Sequence, residues 1–160
     1  MIGDTPAGTS LSNPNISLAV PAGTANNFYI KDSASFDINN DGNNDLMIHL
    51  TNAIASPFSD IPNILRLKLL NPGIEVCVDN DSRVAQYNVG SLLACNSLNS
   101  WGSDFSYIVN CYNSFGCFGA FLITDTYLLY RLNGTTGWIK ISYNVSTPNT
   151  INNVITEEIN

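Results

Sequence analysis

Short segments in which apolar and polar residues alternate recur along the chain, and the periodicity of an amphipathic helix is nearly absent. In 46–50 and in 65–69 every second residue is leucine or isoleucine, and the residues between them include Arg66 and Lys68. Successive side chains of a strand point to opposite faces of a sheet. The period of two therefore predicts strands with one buried and one solvated face.

Turn residues between such segments predict two hairpins. Asn71-Pro72-Gly73 separates 65–69 from 74–78, which favours a turn between two antiparallel strands. Asn133-Gly134 follows the apolar segment 127–132 and precedes a second strand-like segment. This dipeptide is the strongest short-range hairpin signal, because both residues accept the positive φ of a type I′ turn.

The whole pattern predicts an all-β fold, an antiparallel β-sandwich of jelly-roll character. About eight to ten short strands are expected, two of them at 105–109 and 118–123, with turn residues every eight to twelve residues or so. A chain of 160 residues without a long linker fits one domain over 1–160. The ends, at about 1–25 and 147–160, are polar or rich in Gly and Pro, and we expect them to be loop-like.

Residues 37–45, Asp-Ile-Asn-Asn-Asp-Gly-Asn-Asn-Asp, carry oxygen-bearing side chains at the spacing that a calcium ion requires. Ca²⁺ binds six to eight oxygen atoms in loops of this kind. Gly42, at the sixth position, permits a sharp turn, and the seventh residue would contribute its backbone carbonyl. The candidate ligands, at positions 1, 3, 5, 7 and 9, are Asp37, Asn39, Asp41, Asn43 and Asp45.

A turn without metal is the alternative for this loop, because Asn, Asp and Gly favour turns for other reasons. Three carboxylates within nine residues would repel one another without a cation, which favours calcium. A full EF-hand is not expected, since Ile48 stands where its bidentate Glu would be. The loop is similar to the D-x-[DN]-x-D-G-x-x-D loops of dockerins, thrombospondin type 3 repeats and VCBS-type repeats.

Charge and hydropathy exclude several classes of partner. The formal net charge is −7, from 13 acidic and 6 basic side chains, while 44% of the residues are hydrophobic, as in a globular protein. With so few Lys and Arg we expect no basic patch, and therefore no binding to nucleic acid or to anionic membranes. No apolar segment approaches the 18 or so residues of a membrane span, so membrane insertion is not expected.

Cys77, Cys95, Cys111 and Cys117 are even in number and lack C-x-x-C spacing, which favours two disulfides over a zinc site. Of the three possible pairings we expect Cys77 with Cys95 and Cys111 with Cys117; four free buried thiols are the alternative. Disulfides and calcium both favour an extracellular or cell-surface location. The first residues do not form a signal peptide, and we expect that such a leader has been removed.

Three segments together carry a resemblance to a known group: 36–46, then 84–90 followed by Trp101, then 119–141 with its closing Gly-Trp-Ile-Lys-Ile. They resemble poorly characterised secreted or surface domains of Bacteroidota-type bacteria, in which a calcium loop lies early and a Gly-Trp strand closes the fold. The resemblance implies a calcium-stabilised β-sandwich at the cell surface, with no catalytic residues to transfer. The four cysteines depart from that pattern, and we also expect no sorting tail of the kind that such proteins often carry.

Enzymatic activity is not expected. His49 is the only histidine and lies on the outward face of a predicted strand, where an exposed polar residue is the simpler interpretation than a general base. The carboxylates of the 37–45 loop are accounted for by metal, and no other pair suggests a glycosidase. Calcium itself is poor at generating hydroxide.

Aromatic side chains are the candidate ligand contacts. Trp101 lies in a polar segment and is expected to be the most exposed ring, and Tyr112 and Phe115 lie in the loop between Cys111 and Cys117. The sequence thus predicts a non-catalytic extracellular or cell-surface module that binds calcium and also a glycan or another surface protein, as in adhesion. The alternative is a self-assembling subunit of an extracellular fibre, sheath or surface layer, because unpaired sheet edges pair with other chains.

Overall fold

A computed structural model of the chain describes residues 2, 16–18, 29–53, 63–92, 94–96, 98–103, 106–112, 116–119, 126–146 and 150–159. The strands are β1 (Ile16–Leu18), β2 (Tyr29–Phe36), β3 (Leu46–Ala53), β4 (Asn63–Leu69), β5 (Ile74–Val78), β6 (Gln86–Tyr87), β7 (Ser100–Gly102), β8 (Ser106–Tyr112), β9 (Gly116–Gly119), β10 (Thr126–Leu132), β11 (Thr135–Ser146) and β12 (Thr150–Ile159). Within these ranges there is no helix that could span a membrane.

The all-β prediction is confirmed, and the strands form two antiparallel sheets. Of the twelve strands in the described residues, eight have five residues or more and four are shorter. One sheet has seven strands, in the order β1-β12-β11-β10-β5-β7 with β6 beside β10; the other has five, in the order β2-β3-β4-β8-β9. Buried residues of both sheets make up one shared core.

Strand β10 is buried on both faces. Leu128 and Tyr130 belong to the shared core, while Tyr127 and Leu129 belong to a second cluster on the outer face of the seven-stranded sheet. This double burial explains why 126–130 is almost continuously apolar and does not alternate. Trp138 is 1% exposed and packs in the second cluster.

The described residues after β5 and up to Cys95, which we call the covering segment, lie over this second cluster. Ile2 is completely buried in it, and its backbone N–H donates to the Ser91 carbonyl at 2.9 Å while its carbonyl accepts from the Gly90 N–H at 2.9 Å. A disulfide joins Cys77 on β5 to Cys95 in the covering segment, which is one of the two pairings expected from the sequence. The covalent bond holds the segment against the sheet.

The prediction that 65–69 and 74–78 form a hairpin is wrong. Strand β4 pairs with β3 and β8, whereas β5 pairs with β10 and β7 in the other sheet. The turn between them is therefore a corner that carries the chain from one sheet to the other. Both strands already have a partner on each side, and alternation alone cannot say which partner a strand will take.

The hairpin at Asn133-Gly134 is confirmed. Leu132 pairs with Thr135 across the turn, and φ is 49° at Asn133 and 87° at Gly134. Positive φ at both central residues is the requirement of a type I′ turn, whose twist matches that of the strands.

Residues 150–159 form a strand and not the loop that their polar composition predicts. Strand β12 pairs with β11 along 139–146 and with β1 on its other side. Backbone N–H and C=O groups can pair whatever the polarity of the side chains, so the open edge of β11 decides the structure here. Apart from Ile2 and 16–18, the predicted loop at 1–25 lies outside the described residues.

Candidate functional site

The 37–45 loop connects β2 to β3 and turns on two residues with positive φ, Asn40 at 57° and Gly42 at 89°. The carboxylate of Asp37 closes the loop, because one oxygen accepts from the Asp41 N–H at 3.2 Å and the other from the Gly42 N–H at 2.7 Å. No atom lies within 4 Å of the position that a Gly42 Cβ would take. Glycine is thus required at this position by its backbone conformation and not by space.

Asp41 and Asn39 form the exposed rim of the loop. Asp41 accepts from the Asn43 N–H at 2.8 Å and from Asn39 Nδ2 at 3.0 Å, and the Asn39 side-chain oxygen accepts from the Asp41 N–H at 3.0 Å. The hydrogen bond from the Asn43 backbone, followed by that from Asn39, lowers the pKa of the Asp41 carboxyl. The rim therefore presents an ionised carboxylate to solvent at neutral pH.

Asp45 lies on the inner side of the loop and is completely buried. Its two carboxylate oxygens accept from the Ile38 N–H at 2.9 Å and from Asn71 Nδ2 at 2.6 Å. Its backbone carbonyl also accepts from the N–H groups of Leu70 and Asn71, at 2.8 Å and 3.2 Å. Asp45 thereby joins the start of the loop to the corner between β4 and β5.

The negative charge of Asp45 acts on a neighbouring tyrosine. Burial of Tyr130, and after it the charge of Asp45, raises the pKa of the Tyr130 phenol to about 12. Tyr130 therefore keeps its proton at any physiological pH, and its hydroxyl remains a hydrogen-bond donor.

The oxygen atoms of the loop suit a hard cation such as calcium. Each carboxylate offers about four lone-pair sites, and each oxygen of Asp37, Asp41 and Asp45 accepts at least one hydrogen bond. None of the ion pairs formed by the described residues involves these three aspartates. The three carboxylates therefore keep free lone pairs and a negative charge that no cation among the described residues offsets. These oxygens are suitable ligands for calcium.

The carboxylates alone do not form a metal cage. Among the described residues, no three acidic, histidine or cysteine side chains are arranged to hold a metal ion. An ion at the rim would draw on the amide oxygen of Asn39 and the carbonyl of Asn43 as well as on Asp37 and Asp41, and calcium accepts such ligands. A ligand role for Asp45 stays a prediction, and its observed contacts are structural.

The loop and the sheet surfaces have to be judged on their own chemistry, because the chain matches no family model, no curated protein and no solved structure. The resemblance to Bacteroidota-type surface domains therefore stays a prediction. So do calcium binding, the extracellular location and the absence of catalysis.

A depression of about 330 Å³ opens where the 37–45 loop meets the β10–β11 hairpin. We call it the loop depression, and its lining residues are Ile38, Asn39, Tyr130, Leu132, Asn133 and Thr135. It combines an aromatic and two aliphatic side chains with amide and hydroxyl groups. This site could not be predicted from the sequence, because the loop and the hairpin are about ninety residues apart and only the shared core brings them together.

Trp101 is not the exposed ring that the sequence analysis expects. It lies on β7, paired with Cys77 of β5, and it is partly buried against the second cluster. The Arg131 guanidinium carbon stands 4.7 Å from the ring centroid, and Arg131 Nε in turn donates to Glu75 at 2.7 Å. One face of the ring is thus taken by a cation–π contact.

The other two aromatic candidates belong to the loop between Cys111 and Cys117. Phe115 and the side chain of Tyr112 lie outside the described residues. Cys111 and Cys117 are direct backbone partners across β8 and β9. The Cα separation of cross-strand partners, about 4.5–5.5 Å, is in the range that disulfides span, so this second bond stays a prediction that the register supports.

His49 lies on the outer face of the five-stranded sheet, as expected. Its Nδ1 accepts from Arg66 Nε at 3.0 Å, which requires a neutral ring with Nδ1 unprotonated. Burial lowers the pKa of His49, and the charges of Arg66, Lys31 and Lys68 lower it further.

Proposed function

We propose that this chain is a non-catalytic module, stabilised by calcium and located outside the cell, that binds a glycan or another surface ligand. The observation that carries the proposal is the contact between the acidic 37–45 loop and the loop depression, since Ile38 and Asn39 belong to both. An ion bound to the rim would hold Asn39 in place, and Asn39 lines the surface that a ligand would touch.

Calcium would be held by Asp37, Asn39, Asp41 and the carbonyl of Asn43, and it would neutralise the charge that the aspartates concentrate in nine residues. Five hydrogen bonds within the loop already arrange the side-chain oxygens of Asp37, Asn39 and Asp41. Binding of an ion would therefore cost the loop little conformational entropy. Asp45 fixes the loop to the protein interior from the opposite side.

The loop depression supports a saccharide ligand. Small-molecule sites are mostly apolar concavities with a few placed polar groups and volumes of about 300–1,000 Å³. The loop depression, at about 330 Å³, is at the small end of this range and combines Tyr130 and Leu132 with Asn39, Asn133 and Thr135. Tyr130 and Leu132 are mostly buried and form the apolar part of the lining, while Asn39, Asn133 and Thr135 are exposed. Such a combination suits a sugar ring, which has apolar C–H faces and a polar edge.

Calcium is expected to raise the melting temperature of the purified chain. At a free concentration one hundred times its dissociation constant, an ion that binds only the folded state adds about 2.7 kcal/mol, or roughly 5–10 °C for a domain of this size. Scanning calorimetry in calcium and in excess chelator measures the shift. Asp37→Asn and Asp41→Asn should abolish it, while Asp32→Asn, an equal charge change at an exposed residue of β2, should leave it intact. Identical melting of the native chain in calcium and chelator would rule out the site.

A glycan array probed in calcium and in chelator tests the ligand. We expect binding in calcium that Thr135→Trp weakens by about tenfold or more, because the indole would fill the loop depression. Thr135 is exposed, so the fold should tolerate the change. Asn80→Trp adds the same ring in an exposed turn that does not line the depression and should not affect binding. If the array shows no binding, or if both variants bind equally well, the glycan proposal fails.

The eight-residue strand β2 favours the second candidate, a self-assembling subunit. It is an outermost strand of the five-stranded sheet as far as the structure describes it, so its outer backbone groups can pair with a strand of another copy. Negative-stain microscopy in calcium and in chelator separates the candidates. Filaments or sheets would establish the structural subunit, and dispersed single particles in both conditions would leave the binding module.

A further inference from the structure

Positive charge is concentrated on the outer face of the five-stranded sheet, although the composition predicts no basic patch. Three of the six Lys and Arg residues project there together with the only histidine, and we call Lys31, His49, Arg66 and Lys68 the basic face. His49 is the direct partner of Arg66 between β3 and β4, and Met47 is the partner of Lys68. Lys31 stands opposite Thr51, one step along the same face.

Other cations of the chain lie in separate regions of the fold. Arg83 forms ion pairs with Asp79 and Asp81 in the turn after β5, and Arg131 forms one with Glu75. The charges that act on His49 come from Arg66, Lys31 and Lys68 and are all positive. In a chain of net charge −7, half of the Lys and Arg side chains are thus gathered on one face.

A concave site lies within the basic face. A depression of about 320 Å³ is lined by Ser33, Met47, His49, Arg66 and Lys68. The hydrogen bond from Arg66 Nε to His49 Nδ1 fixes the plane of the guanidinium group. Lys68 is exposed at the same rim, and the Ser33 hydroxyl stands on the neighbouring strand, where Ser33 is the direct partner of His49.

We propose that the basic face binds a small oxyanion, a sulfate, phosphate or carboxylate group, either free or carried by a saccharide. Arg66 would offer a planar pair of donors, Lys68 a point charge and Ser33 a hydroxyl. Nucleic acid is disfavoured, because three cations cannot offset the repulsion of a long polyanion by a chain of net charge −7. The site shares no lining residue with the loop depression, so this inference is independent of the proposed function.

Isothermal titration at constant ionic strength tests the inference with sodium sulfate, sodium phosphate, glucuronate and neutral glucose. We expect an oxyanion to bind with a dissociation constant below about 1 mM, and Arg66→Gln and Lys68→Gln each to weaken binding about tenfold or more. Lys68 is exposed, so its replacement keeps the test valid even if Arg66→Gln disturbs the fold. Lys140→Gln, on the seven-stranded sheet, makes the same change in net charge and should have no effect.

The ligands also distinguish the two sources of the group. Binding of inorganic sulfate or phosphate would support a free oxyanion, and binding of glucuronate without inorganic anions or glucose would support a saccharide-borne group. If none of the three anions binds at 10 mM or so, or if glucose binds as tightly as glucuronate, the inference is overturned. An equal loss in Lys140→Gln would also overturn it, since the effect would then be one of net charge.

Discussion

Asp45→Ala is expected to lower the free energy of unfolding by about 3–5 kcal/mol, even without calcium. Asp45 is completely buried, and its carboxylate accepts from the Ile38 N–H and from Asn71 Nδ2. The alanine variant would leave both donors without an acceptor in the interior, at a cost of about 1–3 kcal/mol each, and would add a cavity. It would also release the loop from the corner between β4 and β5.

Urea unfolding in chelator, followed by circular dichroism, measures this loss. Asp45→Asn should lose less than the alanine variant, because its amide oxygen can still accept one of the two hydrogen bonds. Asp41→Ala is the matched control at an exposed residue of the same loop and should change the free energy of unfolding by about 1 kcal/mol or less. Equal stability of Asp45→Ala and Asp41→Ala would show that Asp45 does not hold the loop to the interior.

Removing the Cys77–Cys95 disulfide with Cys77→Ala and Cys95→Ala should lower the free energy of unfolding by about 3 kcal/mol. The two residues are 18 apart, and the bond restricts the unfolded chain by closing a loop of that length. The same bond holds the covering segment over the second cluster, which includes Ile2, Tyr127 and Trp138. Its loss should therefore make Trp138 more accessible before the rest of the chain unfolds.

Guanidinium unfolding combined with acrylamide quenching of tryptophan fluorescence tests both effects, with Trp101→Phe in the background so that only Trp138 reports. The matched control is Cys111→Ala with Cys117→Ala, which removes a predicted disulfide across six residues. Loop-closure entropy makes its expected cost about 1 kcal/mol smaller. If the native chain unfolds at the same denaturant concentration with and without reductant, the Cys77–Cys95 bond does not stabilise the fold.

The features that were predictable from the amino-acid sequence depend on neighbouring residues. Alternation of apolar residues placed strands at β3, β4 and β5, because the period of two is a property of a single extended segment. Asn133-Gly134 determined the β10–β11 hairpin, because positive φ at two consecutive residues is a local requirement. The 37–45 loop was recognisable for the same reason, since its hydrogen bonds run mostly between residues two to seven positions apart.

The tertiary structure alone decided which strands became neighbours, and with that the character of each surface. It placed β4 and β5 in different sheets, although they are joined by a short turn. It brought Arg131 over Trp101, thirty residues away in the chain, and so covered the ring that appeared most exposed. It also gathered half of the few cations on one face, because β2, β3 and β4 pair in register. Composition counts charges but contains no information on distance, and pairing between strands far apart in the chain supplies it.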